Sequence, residues 1–459
     1  FMRIEKDSFG EMSVPDDVLY GAQTARALSN FGLSGEVMPP RFIEACLAIK
    51  AAAAGANTEL GVIVGDKASA IQNACLEARK HNNGHQFPVD VFQTGSGTST
   101  NMNVNEVVAR LAATASGLDI TPNDDVNASQ SSNDTIPAAI QISTALALEE
   151  DLLPAITALK NSLSQQGDAH REVVKTGRTH LMDAMPLTLE QEFSAWIEAL
   201  DSCQRRINQC LPRLKALPLG GTAIGTGINA PQGFAELACR HLNLQIANDF
   251  CPHNNAFYGI STQDVSVEAS GLLKGLATSL IKISNDLRWM NSGPLAGLGE
   301  VVLPALQPGS SIMPGKVNPV IPEAVLMACY QVIGHDTAIT LGAQSGNFQL
   351  NVSLPLIARN LLDSIALLSQ SCEHLAHKVI DDLKVNHEAL SGPLHRNPIL
   401  VTALNPALGY LKAAEIAKTA YADNRPIIEV ALEKTDLSRE ELESLLDPAR
   451  LAHPYRQTD

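Results

Sequence analysis

Apolar residues recur in this chain at the spacing of packed helices. Leu152, Ile156, Leu159 and Leu163 follow one another at steps of 4, 3 and 4, and Leu273, Leu276, Leu280, Ile283 and Leu287 at steps of 3, 4, 3 and 4. Such steps keep one side of a helix apolar and set it as a seam against a neighbour. A strand, whose side chains alternate with period two, has no use for them. Two further stretches, about 318–341 and 350–380, hold very little Gly or Pro and predict long helices. Aromatic residues make up only 4% of the chain while Ala and Leu dominate long stretches, which favours helix over sheet. The expected fold class is mainly α, with a helical bundle in the middle of the chain.

Around that bundle the composition changes. The first part predicts shorter helices, near 41–58 and 67–80, broken by loops rich in Gly, Ser and Asn. Ser391-Gly392-Pro393 predicts a boundary. Beyond it, short helices are expected over Pro398 to Leu404 and Pro406 to Ala422, then a charged tail from Glu433 to Asp447. Three domains follow: a mostly helical one with anion-binding loops over 1–132, the central bundle over 133–387 and a small helical one over 388–459.

Charge limits the partners. The chain carries 33 Lys and Arg against 49 Asp and Glu, a formal net charge of −16. Nucleic acid and anionic membrane are disfavoured, because phosphates are met by clustered Lys and Arg. A small anionic substrate in a locally basic cleft stays open. No apolar run approaches the roughly 18 residues that would span a bilayer, and Phe1 to Asp7 lack the apolar core of a signal peptide, so a cytoplasmic location is expected. A charged fraction of only 18% points to surface given over to subunit contacts. The cysteines at 46, 75, 203, 210, 239, 251, 329 and 372 show no C-x-x-C spacing and read as buried free thiols. His374 and His377 lie three apart without a ligand motif beside them, so no metal is expected.

Chemistry is expected where loops interrupt the helical background. Gln93 to Asn103 reads QTGSGTSTNMN, hydroxyls and amides with two glycines ahead of a helix expected to open at Asn103. Backbone N–H groups and the hydroxyls of such a loop suit an anion, though a Ser/Thr-rich helix cap is the plainer reading. Ser129 to Asp134, SQSSND, is as polar. Asn133 or Asp134 would serve as an N-cap, yet a cap does not account for so many short polar side chains before one helix. Thr176 to Pro186, TGRTHLMDAMP, reads as a loop between helical segments and holds His180, preceded by the guanidinium of Arg178 and the hydroxyl of Thr179. A histidine titrates near neutral pH and suits proton transfer. Pro308 to Pro319, PGSSIMPGKVNP, is the most specific of all. Two glycines and three prolines shape it, Ser310 and Ser311 offer hydroxyls that act on a proton, Lys316 suits a carboxylate, Asn318 suits orientation, and Glu323 follows at the start of a long helix.

The segment GSSIMPGKVNP at 309–319 closely resembles the signature loop of the fumarase/aspartase superfamily, and the other segments match that family in the same order over essentially the whole chain. TGSGT at 94–98, His180 and Gly315 resemble the class II fumarase branch, where aspartases tend toward GAGT, Gln and Ala. SQSSND at 129–134 and Gly21-Ala22-Gln23-Thr24 point the same way, while Val320-Ile321-Pro322-Glu323 occurs in both branches. The resemblance implies a three-domain fold whose central long helices pack with three further copies into a homotetramer with a twenty-helix core, each site being assembled from three subunits. It implies reversible anti addition of water to fumarate, giving (S)-malate through an aci-carboxylate intermediate, with no cofactor and no metal.

In that scheme Ser310 takes the C3 proton, Ser311 being the other serine open to that role, and His180 paired with Glu323 holds or protonates the departing water. Ser96, Gly97, Thr98, Ser131, Ser132, Asn133, Thr179, Ser311, Lys316, Val317 and Asn318 bind the dicarboxylate. Aspartate ammonia-lyase is the alternative, with argininosuccinate and adenylosuccinate lyases behind it and a catalytically silent scaffold as the reading from another class. One departure stands out. Many bacterial relatives carry a second dicarboxylate-binding loop built on His-Pro-Asn-Asp, whereas Leu118 to Asp124 reads LDITPND, with Thr121 in place of the His and Asp119 adding negative charge. A weak or absent second site is expected.

Overall fold

The computed structural model describes residues 1–81 and 84–455. In chain order, a hairpin of β1 (Met2–Asp7) and β2 (Gly10–Pro15) leads into α1 (Ala22–Asn30), α2 (Pro40–Glu59), α3 (Gly65–Arg79), α4 (Thr98–Ser116), α5 (Ser132–Ala147) and α6 (Leu153–Ala169). A second hairpin, β3 (Val174–Thr179) and β4 (Met182–Thr188), leads into α7 (Leu189–Leu214), α8 (Phe234–Ile246), α9 (Ala256–Ser261), α10 (Asp264–Met290), α11 (Val320–Gln344) and α12 (Leu354–Leu375). The seams are where the spacing puts them. Leu152, Ile156, Leu159 and Leu163 are fully buried, as are Leu273, Leu276, Leu280, Ile283 and Leu287 to within 1%. The chain forms two compact units, one of Phe1–Pro154, Cys203–Ala277 and Cys329–Ser369, the other of Ala155–Ser202, Thr278–Ala328 and Gln370–Asp459.

In the first unit α2 is buried nearly all round, from Phe42 to Asn57. A helix without an exposed face belongs inside a bundle, and its run of alanines lets α3, α5 and α8 come close. Gly55 shows how close: a Cβ there would sit 2.6 Å from the His241 ring. The start of α1 is set on the buried Glu106 of α4, whose carboxylate accepts the backbone N–H groups of Gln23 and Thr24 and the Thr24 hydroxyl. An anion at a helix N-terminus meets unpaired donors and the positive end of the dipole.

Two helix starts differ from the sequence reading. Helix α4 opens at Thr98, not Asn103, because Gly97 takes a left-handed φ of 73° and turns the chain directly into it. Helix α5 is capped by Ser131 rather than by Asn133 or Asp134. The Ser131 hydroxyl accepts from Asn133 N at 3.1 Å while Asp134 reaches back to Ser131 N at 3.0 Å, a reciprocal capping box. The second oxygen of Asp134 accepts from Gly220 N and Thr222 N at 2.9 and 3.0 Å. Burial raises the pKa of this carboxyl even though three backbone donors and the nearby Lys50 pull it down.

In the second unit the segment around His180 is a hairpin and not a loop. Val174 pairs with Thr188 and Thr179 with Met182, with a bulge at Gly177. His180 and Leu181 form its two-residue turn, at φ 54° and 61°. Paired left-handed residues match the twist of a tight hairpin. Its base is fixed electrostatically: the buried Lys175 ammonium lies 2.7 Å from Glu192 and 2.8 Å from Glu300, and Arg178 lies 2.6 Å from Glu300.

The end of the chain also departs from expectation. Ser391, Gly392 and Pro393 lie inside the helix His387–Arg396, so the break comes later, at Asn397, whose side chain caps the 3-10 turn Pro398–Leu404. Gly409 splits the helix expected over 406–422 into Asn405–Leu408 and Tyr410–Asp423. These elements close with Ile427–Lys434 and Arg439–Leu445 around Leu400, Leu404, Ile416, Val430 and Leu442. Of the cysteines, Cys251 is exposed rather than buried, since it lies in a two-residue edge pairing. The rest are buried, and burial pushes Cys46, Cys75, Cys210, Cys239 and Cys329 up to about 12, away from thiolate chemistry.

Asp134→Ala leaves the N–H groups of Ser131, Gly220 and Thr222 without their acceptor, at a cost of about 3 kcal/mol or more. A urea titration should show the unfolding midpoint falling with little change in slope.

Candidate functional site

The first unit brings the two polar segments of the N-terminal half into one wall. Gln93 Oε1 accepts from the N–H and hydroxyl of Thr100, which curls the loop before α4, and the Ser96 and Thr98 hydroxyls meet at 2.8 Å. Gly95 is required by a close approach: its carbonyl accepts from Leu354 N, and a Cβ would lie 1.7 Å from the Val352 carbonyl oxygen. Gly97 lies against Ile136 of α5, whose methyl would be 2.8 Å from a Cβ. The two segments join through Asn101, whose Nδ2 donates to Ser132 Oγ at 2.9 Å, and Asn133 Nδ2 is held on the Ala223 carbonyl at 2.8 Å. The two segments carrying Ser96, Gly97, Thr98, Ser131, Ser132 and Asn133 are thus joined, with the residues that bear hydroxyls and the amide half-buried.

The segment from Gly309 to Asn318, in the second unit, is a loop closed on itself. Gly309 N donates to the Lys316 carbonyl at 2.8 Å and Asn318 Nδ2 to the Gly309 carbonyl at 2.7 Å. A Cβ on Gly309 would be 2.2 Å from the Lys316 carbonyl oxygen, and Gly315 turns the far end at φ 83°. Ser310 Oγ accepts from the N–H groups of Ile312 and Met313 at 3.2 and 3.1 Å. Two donors aimed at one hydroxyl oxygen stabilise negative charge there, which is the direction a serine base needs. The Lys316 ammonium rests on a neutral partner, Asn318 Oδ1, at 2.8 Å. Lys316, Val317, Asn318 and Glu323 share a cavity of about 670 Å³ with Arg288, Trp289, Asn291 and Ser292. Ser311 is on the exposed side of the loop, and Ser310 and His180 do not line that cavity. Thr179 and His180 stand exposed at the tip of their hairpin.

Several contributors were given no role of their own by the sequence reading. Asn101, Asn127 and Gln130 hold the wall from behind, and Lys50 holds them in turn. A signal for Lys50 existed, a single charge inside the apolar run from Ala45 to Ala56. Glu300, which anchors the His180 hairpin, gave none.

At the departure from the second dicarboxylate loop, Thr121 is occupied by its own turn. Its N–H donates to Asp125 Oδ2 at 2.8 Å, its hydroxyl accepts from Asp124 N, and Asp125 also holds Lys67 at 3.1 Å.

Comparison with known proteins places the chain in a family. A family model described as a lyase matches residues 10–334, and one for the C-terminus of fumarase C matches 400–453. A class II fumarate hydratase of Xylella fastidiosa is 57% identical over 98% of this chain and 95% of its own length. One of Pseudomonas aeruginosa is 56% identical over 98% of both. The chain belongs to the class II fumarate hydratase family. The family fold is matched by the class II fumarase of Schistosoma mansoni at TM-score 0.96 and 37% identity, covering 99% of this chain and 100% of that one. A fumarate lyase:delta crystallin of Brucella melitensis follows at TM-score 0.94 and 42% identity, covering 99% and 100%. The mainly α class expected from the helical seams, and the fumarase-like fold that the resemblance implied, are therefore the ones found.

With Thr121 and Asp125 engaged as described, a crystal soaked in malate should show no dicarboxylate at Thr121 to Asp124. Malate held there by Thr121 and Asn123 would contradict this.

Proposed function

We propose that this chain catalyses the reversible hydration of fumarate to (S)-malate, as a hydro-lyase acting by anti addition and elimination of water. The observation that carries the reading is the Ser310 loop, in which two backbone donors aim at a serine oxygen while a lysine paired only with an amide stands a few residues away. Removing the proton next to a carboxylate makes that carboxylate a dianionic, aci-carboxylate-like centre, so donors must be in place before the proton moves. Lys316, Asn318 and the wall of Ser96, Thr98, Ser131, Ser132 and Asn133 are of the right kind, with Gly97, Thr179, Ser311 and Val317 completing the contact. Ser310 serves as the base, with water excluded around it when substrate is bound. His180, paired with Glu323, handles the departing water on the opposite face, the carboxylate fixing the tautomer of the ring.

The same reading makes the site a joint product of three subunits of a homotetramer. Supporting it, α11 exposes Met327, Tyr330 and Leu341 at 64, 56 and 59%, apolar surface of the kind that subunit contacts cover. The division at 132 and 387 into three domains belongs to this proposal as well, the separate apolar cluster near the end of the chain favouring the second boundary. No helix among the described residues is long and apolar enough to cross a membrane, and a cytoplasmic location goes with the proposed role in central carbon metabolism.

Ultraviolet absorbance of the fumarate double bond is the direct assay. Adding (S)-malate should raise it and adding L-aspartate should not. Ser310→Ala should slow the malate reaction by about a thousandfold, the range a positioned base supplies. A rise with aspartate alone would move the activity to ammonia elimination.

A further inference from the structure

Lys50 is completely buried in the apolar stretch of α2, and both acceptors of its ammonium are neutral. Nζ donates to Asn127 Oδ1 at 3.0 Å and to Gln130 Oε1 at 2.9 Å. Burying an ammonium against two amide oxygens is costly compared with filling the same space with methionine. What the charge provides is orientation. With its oxygen turned to Lys50, Gln130 must point its NH₂ group at the chain, where it donates to the carbonyls of Val126 and Ala128 at 3.1 and 2.9 Å. Asn127 Oδ1 likewise gathers the NH₂ groups of Asn101 and Asn105, both at 3.2 Å, and the same NH₂ of Asn101 donates to Ser132 Oγ. A hydroxyl oxygen that is already accepting a bond keeps its proton free to donate elsewhere.

We propose that Lys50 is a positioning residue for the dicarboxylate: through Asn127, Gln130 and Asn101 its ammonium fixes the wall before α5 with the Ser132 hydroxyl turned outward as a donor, and it places a positive potential behind that wall. The inference rests on the fumarate and malate reading above. It also predicts a pH dependence. Burial pulls Lys50 down to about 8, Cys46 on its own helix, Cys75 from α3 and Asp134 from α5 being the charged and titratable groups that face it. Both thiols are pushed up to about 12 and stay neutral through that range. The positive charge behind the wall is therefore present below about pH 8 and lost as pH rises through it.

The test is kcat and KM for (S)-malate from about pH 6.5 to 9.5, on the full-length wild type, Lys50→Met and Lys50→Arg. In the wild type KM should climb as pH passes about 8. Lys50→Met should raise KM about tenfold at neutral pH with kcat changed far less, and should remove the climb. Lys50→Arg, whose guanidinium does not titrate, should restore much of the affinity and keep KM level. A folded Lys50→Met with wild-type KM and an unaltered climb overturns the inference. Should neither variant fold, the wild type decides: a climb near pH 8 supports the role and a level KM overturns it. A wild type that turns over no malate refutes the hydratase reading itself, whereas normal turnover with KM indifferent to Lys50 refutes only this inference.

Discussion

A buried carboxylate at the head of α5 organises the first unit. Asp134 ties the turn that caps its own helix to the chain at Gly220 and Thr222, so one side chain sets both the wall of short polar residues before α5 and the loop that supports Asn133 through Ala223. Burial makes its ionised form expensive, and three backbone N–H groups offset much of that cost. Lys50 adds a positive charge nearby without touching it, its own hydrogen bonds going to Asn127 and Gln130. Polar groups are thus held rigidly at the margin of an otherwise apolar bundle, as the proposed binding of a dianion requires.

The second unit uses the same device with ion pairs. Lys175, Arg178, Glu192 and Glu300 lock the base of the hairpin, and its tip presents His180 in a left-handed turn. The Ser310 loop is held instead by its backbone, Gly309 and Gly315 permitting a closure that a side chain would block. In each case the side chain proposed to react, exposed at His180 and half-buried at Ser310, stands on structure that is cross-bonded beneath it.

How much of this was legible in the sequence depended on the period of the signal. The seams at 152–163 and 273–287 were readable because helical burial repeats, and every residue in them is buried. The start of α4 was not, because Thr98 to Asn103 are, Met102 apart, polar residues held in place by side-chain bonds such as those of Thr100 to Gln93 and Asn101 to Ser132. The hairpin at His180 hid behind Gly177 and Pro186, and what stabilises it, Glu300, lies more than a hundred residues further on. Ser391-Gly392-Pro393 misled in the opposite sense, since Asn386 and Asn397 cap the two ends of a short helix that tolerates them. The loops themselves were legible as composition, and their chemistry as resemblance. The network behind them, Lys50 with Asn57, Asn101 and Asn127, was legible as neither, because its members lie far apart in the sequence, on helices and a turn, and meet only in the fold.

In the proposed three-subunit site, the Ser310 loop and the His180 hairpin reach one site from different copies of the chain. Subunit mixing tests it most directly. His180→Asn and Ser310→Ala, each nearly inactive alone, are to be unfolded together, refolded as hybrids and assayed with (S)-malate. The mixture should regain a substantial fraction of wild-type activity, because some sites then draw an intact hairpin from one copy and an intact loop from another. Hybrids that form but stay as inactive as their parents would contradict it.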